Sequence, residues 1–343
     1  MRHVMEGSRT KLHRPLGPVR ILSYNVRYFG HATRGLASTK AAMLRIAQAL
    51  SALDPAPAIV CLQEVETRSI RSTVAHRGDE TQLERFMQML SAALGEESKA
   101  DAYQAYYFPA HAYRLSARTH VYTTGLAVLA HADYEVDQHN AEMPYDITHR
   151  RMHAIRRFKQ TRICAHVRFR HRTERAHGPI DVFNTHLSLP SAMSRAFWTE
   201  PRRLGWGPNQ IEEAKNLVRF VDRQRSSDRF VVVGDFNALP GSPVYRYLVQ
   251  EHGWIDAFAQ RYRLSEKELV EWPTAGFMRM RMHLDHVFCG TGLKWLDFDD
   301  TCVFGDRTAR FHGLSDHVPM VGRCRVRRGD SLPPQRARLR SRD

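Results

Sequence analysis

Short apolar runs alternate with amphipathic stretches and long polar segments along the whole chain. Runs rich in β-branched and aromatic residues predict strands at Val19–Tyr24, Ala58–Leu62, Gly125–Ala130, Thr161–Phe169, Ile180–Asn184, Phe230–Val233 and Leu284–Phe288. Apolar residues at helical spacing predict three helices, on Met43, Ile46, Ala47 and Leu50, on Leu83, Phe86, Met87 and Leu90, and on Ile211, Ala214, Leu217, Val218 and Val221. These stripes read as core faces. Strands that run in groups, with one helix for every few of them, imply an α+β sandwich and not a strict βαβ repeat. Three polar segments read as loops added to that frame. Residues 101–123 are rich in Tyr and His, 131–160 are polar and strongly basic, and 188–210 are punctuated by Pro190, Pro201, Gly205, Gly207 and Pro208.

The pattern divides the chain into an N-terminal extension (1–18), a main unit (19–326) and a tail (327–343). At 343 residues with 43% hydrophobic content, one large domain with insertions is as compatible as two domains, and a real core is available either way. The tail holds six arginines, two prolines and almost no apolar residues, so it is expected to be disordered and could bind phosphates only electrostatically.

Charge adds a class of partner. A net charge of +15 and a pI near 10.0 favour polyanions such as nucleic acid or acidic lipid headgroups. Only seven of the 51 basic residues are lysines, an arginine bias that codon composition alone can impose, so charge supports a reading without carrying one. The five cysteines form no C-x-x-C and lie mostly in apolar runs, which predicts reduced core thiols. The first twenty residues lack the apolar core of a secretory signal, and no stretch approaches the ~18 apolar residues of a membrane span. The expectation is a soluble cytoplasmic protein.

Candidate chemistry sits where the predicted strands stop. In chain order the polar residues are Asn25, Glu64, His186, Asp235 with Asn237, Asp285, and Asp316 with His317. Each supplies what cleavage of a phosphoester by a divalent metal needs. Glu64 follows a strand with a carboxylate, and a hard cation such as Mg²⁺ takes one or two carboxylates and keeps several waters. Asn25 is an amide that can orient a carboxylate or contact the metal. His186 could donate to a phosphate oxygen as charge builds in the transition state. Asp235 and Asn237, two apart on an extended stretch, project to the same face. A His oriented by a carboxylate, as Asp285 and His317 could arrange, is the usual general base.

Taken together, these residues make the chain resemble the endonuclease/exonuclease/phosphatase superfamily over about Val19 to Val326, most specifically in Gly234-Asp235-Phe236-Asn237 and Ser315-Asp316-His317. The resemblance implies a four-layer α/β/β/α sandwich of two mixed sheets flanked by helices, with the site at one edge of the sheets. It further implies Glu64 as principal Mg²⁺ ligand with Asn25 beside it, and Asp316 assisting. Asp235 would position or deprotonate the nucleophilic water, while Asn237 and His186 hold the phosphate. His317, paired with Asp285, would be general base or phosphate stabiliser. Mn²⁺ could replace Mg²⁺, since both accept the same oxygen ligands. Some family nucleases place a Tyr or Arg before the central strand to contact the phosphate; here that region reads Arg156-Arg157-Phe158-Lys159-Gln160-Thr161-Arg162, with Arg162 the candidate.

The frame implies phosphoester hydrolysis more firmly than it implies a substrate. The leading expectation is a nuclease, from the charge, the arginine runs and aromatics such as Trp198 and Trp206 that could stack on bases. The alternative is a phosphodiesterase or phosphatase for anionic lipids or small phosphoesters, of the sphingomyelinase or inositol-phosphate type, with Phe197-Trp198 dipping into a bilayer interface. A non-catalytic binding protein on the same frame is the third class, disfavoured because every acid and the terminal His are in place.

Overall fold

The computed structural model describes residues 17–29, 36–66, 81–95, 102–114, 120–149, 161–174, 178–190, 204–277 and 280–327. The first strand, β1 (Val19–Asn25), leads through helix α1 (Leu36–Ser51) to β2 (Ile59–Glu66), with which it pairs in parallel. Helix α2 (Gln82–Leu94) follows. It starts in a capping box, where Thr81 Oγ1 accepts from Glu84 N at 3.2 Å and Glu84 Oε2 accepts from Thr81 N at 2.6 Å. Strands β3 (Tyr103–Arg114) and β4 (His120–His131) form an antiparallel pair beside β2.

Next come β5 (Tyr134–His139), β6 (Tyr145–Asp146), β7 (Ile163–His171) and β8 (Ile180–His186). Helix α3 (Pro208–Gln224), with proline in its first turn, carries the chain from β8 to its parallel partner β9 (Phe230–Asp235). After α4 (Pro243–Arg246) the chain forms β10 (Ile255–Asp256), α5 (Ala257–Tyr262), α6 (Glu266–Leu269), the hairpin strands β11 (Ala275–Phe277) and β12 (Met280–Met282), β13 (Asp285–Cys289), β14 (Leu293–Phe298) and β15 (Met320–Val326).

These strands build two large mixed sheets, in the orders β14-β15-β1-β2-β4-β3 and β10-β13-β9-β8-β7-β5, with β6 on β7. The alternation of side chains fixes the layers. Val19, Ile21, Ile59, Cys61 and Val128 of the first sheet meet Val167, Val182, Val231, Val233 and Val287 of the second in the central core. The outer face of the first sheet, with Leu22, Tyr24 and Leu62, packs on Met43, Ile46 and Leu50 of α1 and Phe86 and Leu90 of α2. The outer face of the second, with Phe183, Val232 and Phe288, packs on Ala214, Leu217 and Val221 of α3. The result is the expected four-layer α/β/β/α sandwich, and all three helical stripes are core faces.

The loop readings need correction. Most of 101–123 is strand, and 131–160 contains β5 and β6. β3 and β5 end their sheets, so each pairs on one side only and needs no continuous apolar run. Tyr, His and Gln therefore fill positions that a buried strand would give to Val or Ile. β14 and β15 also escape the apolar pattern, because Lys294, Asp297, Arg323 and Arg325 interrupt them. All five cysteines are buried and unpaired. Among the described residues, no helix is long and apolar enough to cross a membrane. Trp198, the arginines of 150–157 and almost all of both termini lie outside the described residues.

Candidate active site

The rows of side chains that fill the central core run on into polar residues at one edge. In β1 the row Val19, Ile21 continues as Ser23 and Asn25; in β8 Ile180, Val182 continues as Asn184 and His186; in β9 Val231, Val233 continues as Asp235. In β13, running the other way, Cys289 and Val287 lead to Asp285. The period of two that buries valines thus also aims an amide, an imidazole and two carboxylates into one place. Directly beneath them, Gln63 Nε2 donates to Asn184 Oδ1 at 2.7 Å and to Ser23 Oγ at 3.1 Å, which joins the two sheets by a buried polar layer.

Glu64 breaks this rule. By parity it belongs with Leu62 on the outer face. The β2–β4 register slips between Leu62 and Val65, and Glu64 takes φ +56, so a bulge swings its carboxylate round to the inner edge. Its side chain is 19% exposed and meets the others there.

The groups converge closely. Asn25 Nδ2 donates to Asp235 Oδ2 at 3.1 Å and to Glu64 Oε1 at 3.3 Å. The amide's orientation is fixed because Arg27 N donates to Asn25 Oδ1 at 3.0 Å. His186 Nε2 lies 3.5 Å from Asp235 Oδ2 and 3.9 Å from Glu64 Oε1. His317 Nε2 lies 3.7 Å from Asp235 Oδ2, and its Nδ1 is 2.8 Å from Asp285 Oδ2. Asp285 is itself positioned by Thr274, whose Oγ1 accepts from Asp285 N and Leu284 N at 3.0 Å each. Ala275 bridges to His317 through the backbone.

Burial sets the protonation states. It pushes the carboxyl of Glu64 up, against the opposing influence of the Asn25 bond and His317. Burial also pushes up Asp235, to about 7, against the pull of the His317 charge, and the neighbouring Asp285 and Glu64 charges add to the rise. For His317 burial favours the neutral ring, yet the carboxylates of Asp285 and Asp235 outweigh it and raise the imidazole above its usual range. His186 goes the other way. Burial and the positive charges of Arg162 and His317 hold it neutral. The site therefore offers one neutral imidazole, one imidazolium and a carboxyl whose affinity for protons is raised toward neutrality.

The other expected residues are placed as follows. Asn237, at φ +47, donates its backbone N–H to Asp235 Oδ1 at 2.9 Å and Nδ2 to Leu187 O at 3.0 Å, so it braces Asp235 directly. Arg162 stands at the start of β7, where its charge acts on Glu64 and His186, and it shares a small cleft with His186, Gly125 and Ile163. Its backbone N–H donates to Thr148 Oγ1 at 2.7 Å. Trp206 is 55% exposed, beside Leu204, which packs on Ala275 and Leu284. Asp316 pairs with Arg27.

Arg27, Thr274 and Gln210 escaped sequence reasoning. Gln210 is wholly buried, and its Nε2 donates to Ser188 O and Asn237 O at 2.8 Å each while its Oε1 accepts from Gly205 N at 3.0 Å and Gly207 N at 3.2 Å. Its only signal was a glutamine falling on the buried stripe of α3.

The donor set suits a hard divalent cation: carboxylate oxygens of Glu64 and Asp316 beside the Asn25 amide. Among the described residues no three His, Cys, Asp or Glu side chains form a ready-made metal cage. The raised carboxyl of Glu64 is the observation that favours a cation, because a largely desolvated acid that resists ionisation for want of compensating charge gains most from one.

Two sheets packed face to face thus bring a His–Asp pair, a second imidazole and an amide-bridged pair of acids together at one edge. The chain belongs to the Endonuclease/Exonuclease/phosphatase family, whose description it matches over residues 22–317. The enzymes of that family are phosphoric ester hydrolases, and this chain is one of them. Similar solved structures include the human Nocturnin catalytic domain with bound sulfate anion, 16% identical with a TM-score of 0.56, covering 92% of this chain and 95% of that one. ANGEL2, a 2′,3′-cyclic phosphatase in complex with adenosine-2′,3′-vanadate, is 15% identical with a TM-score of 0.56, covering 91% and 97%. A mannosyl-6-phosphatase from Bacteroides thetaiotaomicron is 15% identical with a TM-score of 0.52, covering 89% and 99%. A comparison with curated proteins gives no match.

Proposed function

We propose that this protein is a divalent-metal-dependent phosphodiesterase that cleaves nucleic acid. The observation that carries the reading is the convergence of His186 and His317 on the same carboxylate oxygen of Asp235, at 3.5 and 3.7 Å. A scissile phosphate set against the two imidazoles would bring its attacking water to Asp235. Asp235, with its raised affinity for protons, takes the proton as the water's oxygen bonds to phosphorus and the bond to the leaving oxygen breaks. His317, kept charged by Asp285, stabilises the phosphate, and neutral His186 donates to another oxygen. This divides duties that the resemblance left open, with Asp235 as base and His317 as stabiliser. Asn237 keeps one amide hydrogen for a phosphate oxygen, and Arg162 contacts the phosphate from the β7 side.

Mg²⁺, or Mn²⁺ in its place, would be held principally by Glu64, with Asn25 orienting that carboxylate and Asp316 adding negative charge from across the site. When bound it would neutralise charge building on the phosphate. The net charge of +15 supports a polyanionic substrate, and unpaired buried thiols support a cytoplasmic location. A lipid or small phosphoester is the second reading, favoured by the exposed Leu189 and Trp206 on the segments flanking residues 191–203. Nicking of supercoiled plasmid by purified protein with Mg²⁺ tests the first reading. Nicking abolished by EDTA and by His317→Ala supports it; no nicking by folded protein moves the assignment to the second.

A further inference from the structure

We propose that Arg27 is a second guanidinium clamp for the substrate phosphate, parked on Asp316 until the phosphate arrives. The inference rests on the phosphoesterase reading above and adds a residue to it. Arg27 lies two residues past Asn25, and its backbone N–H is the group that fixes the Asn25 amide. Its side chain pairs through Nη1 with Asp316 Oδ2. Ser315 Oγ donates to Asn25 O at 2.8 Å, which ties the turn bearing Asp316 and His317 to the end of β1 and so sets Asp316 opposite Arg27.

The backbone that presents Arg27 is costly. Arg27, Tyr28 and Phe29 stand at φ +42, +57 and +52, three consecutive left-handed residues without a glycine. They are held by Phe29, fully buried against Phe86 with ring centroids 4.7 Å apart, and by Phe29 N donating to Val26 O at 2.8 Å. Core packing thus over-determines a conformation that local preference opposes, as is common where a side chain must be aimed.

Charge gives the aimed cation its use. Four acids gather at this edge: Glu64 and Asp235 share the Asn25 amide, Asp285 holds His317, and Asp316 precedes that histidine. A phosphate brings at least one more negative charge, so acceptance depends on the cations around it. Arg162 acts on Glu64 and His186 from the β7 side. Arg27 reaches the same edge from the end of β1, on Asp316. Its side chain is 28% exposed, and Asp316 is its one side-chain partner among the described residues. A guanidinium has five donors in a planar fork, so Arg27 can keep one on Asp316 and turn others to a phosphate oxygen.

The test measures binding of inorganic orthophosphate by calorimetry at saturating Mg²⁺, alongside kcat and KM on a phosphodiester. The expected result is that Arg27→Ala weakens orthophosphate and raises KM by about tenfold or more, the range of a lost charge-assisted bond. Arg27→Lys should recover part of the loss. Mg²⁺ affinity of Arg27→Ala, read by the same calorimetry, should stay within twofold of wild type. Orthophosphate binding by Arg27→Ala within twofold of wild type would overturn the clamp, as would a loss of Mg²⁺ affinity in Arg27→Ala that matches its loss of orthophosphate, which would make Arg27 only an anchor for Asp316. If Arg27→Ala fails to fold, Arg27→Gln and Arg27→Lys decide on the same criterion. Wild-type protein that neither hydrolyses the diester nor binds orthophosphate would overturn the phosphoesterase reading itself.

Discussion

Asp285 is the antiparallel partner of Asp235 across β13 and β9, so two carboxylates stand side by side on the inner face of one sheet. Like charges directly opposite destabilise a strand pair. The chain resolves the conflict by laying His317 between them, bonded to Asp285 through Nδ1 and facing Asp235 through Nε2. The same register places His186 beside Asp235 from β8. One hydrogen-bonded ladder therefore sets the spacing of Asp235, Asp285 and His186.

His317→Ala should lower kcat roughly 10²–10³-fold, the range for loss of a group that stabilises transition-state charge. Steady-state kinetics on a nucleic-acid or model diester check this. A loss below tenfold would mean that Asp235 works without the imidazolium.

Glu64→Gln should weaken Mg²⁺ binding, read by calorimetry, by more than the roughly tenfold that loss of an outer partner of a metal costs. The fold should survive, since Glu64 is partly exposed and its bulge is a backbone feature. Unchanged Mg²⁺ affinity would remove Glu64 from the metal site.

The site's residue types were legible in the sequence because each follows an apolar strand whose alternation can be counted. Asn25, His186, Asp235 and Asp285 obey that count. Glu64 does not: its inward turn depends on a register slip against β4, a property of the pairing and not of either strand. Arg27 was hidden for a similar reason, since nothing in Asn25-Val26-Arg27 announces three left-handed residues. The missed strands β3 and β5 are sheet edges, where the demand for apolar side chains is weakest.

Gln210→Ala should lower stability by about 2–4 kcal/mol, because it strips partners from backbone groups in three segments that meet at the site. Activity should fall as well, since the bond from Gln210 to Asn237 O holds the turn that braces Asp235. Denaturant unfolding with parallel assays checks both. A variant equally stable and active would mean that α3 alone positions those segments.

Asp181 gives a stability prediction with a defined sign. It is fully buried, and burial alone would raise its carboxyl. The bonds from His166 Nε2 at 2.7 Å and from Ser226 N and Oγ at 2.7 and 2.6 Å outweigh that and hold it below the usual range. A carboxyl depressed in the folded state stabilises above its unfolded value and loses that contribution as pH falls through the folded one. Asp181→Asn should therefore cost about 3 kcal/mol at pH 7, with the gap to wild type closing below about pH 4. A gap independent of pH would assign the effect to packing.

The central claim is that Asp235 activates water for attack on a phosphodiester in a divalent-metal site. Its most direct test is the rate of bis(4-nitrophenyl) phosphate hydrolysis by wild type and Asp235→Asn, each with Mg²⁺ and with EDTA. Wild type should turn over with Mg²⁺ and not with EDTA, and Asp235→Asn should lose roughly 10²-fold or more with Mg²⁺ affinity retained. Turnover by Asp235→Asn near wild type, or wild-type turnover that EDTA leaves untouched, would contradict that claim.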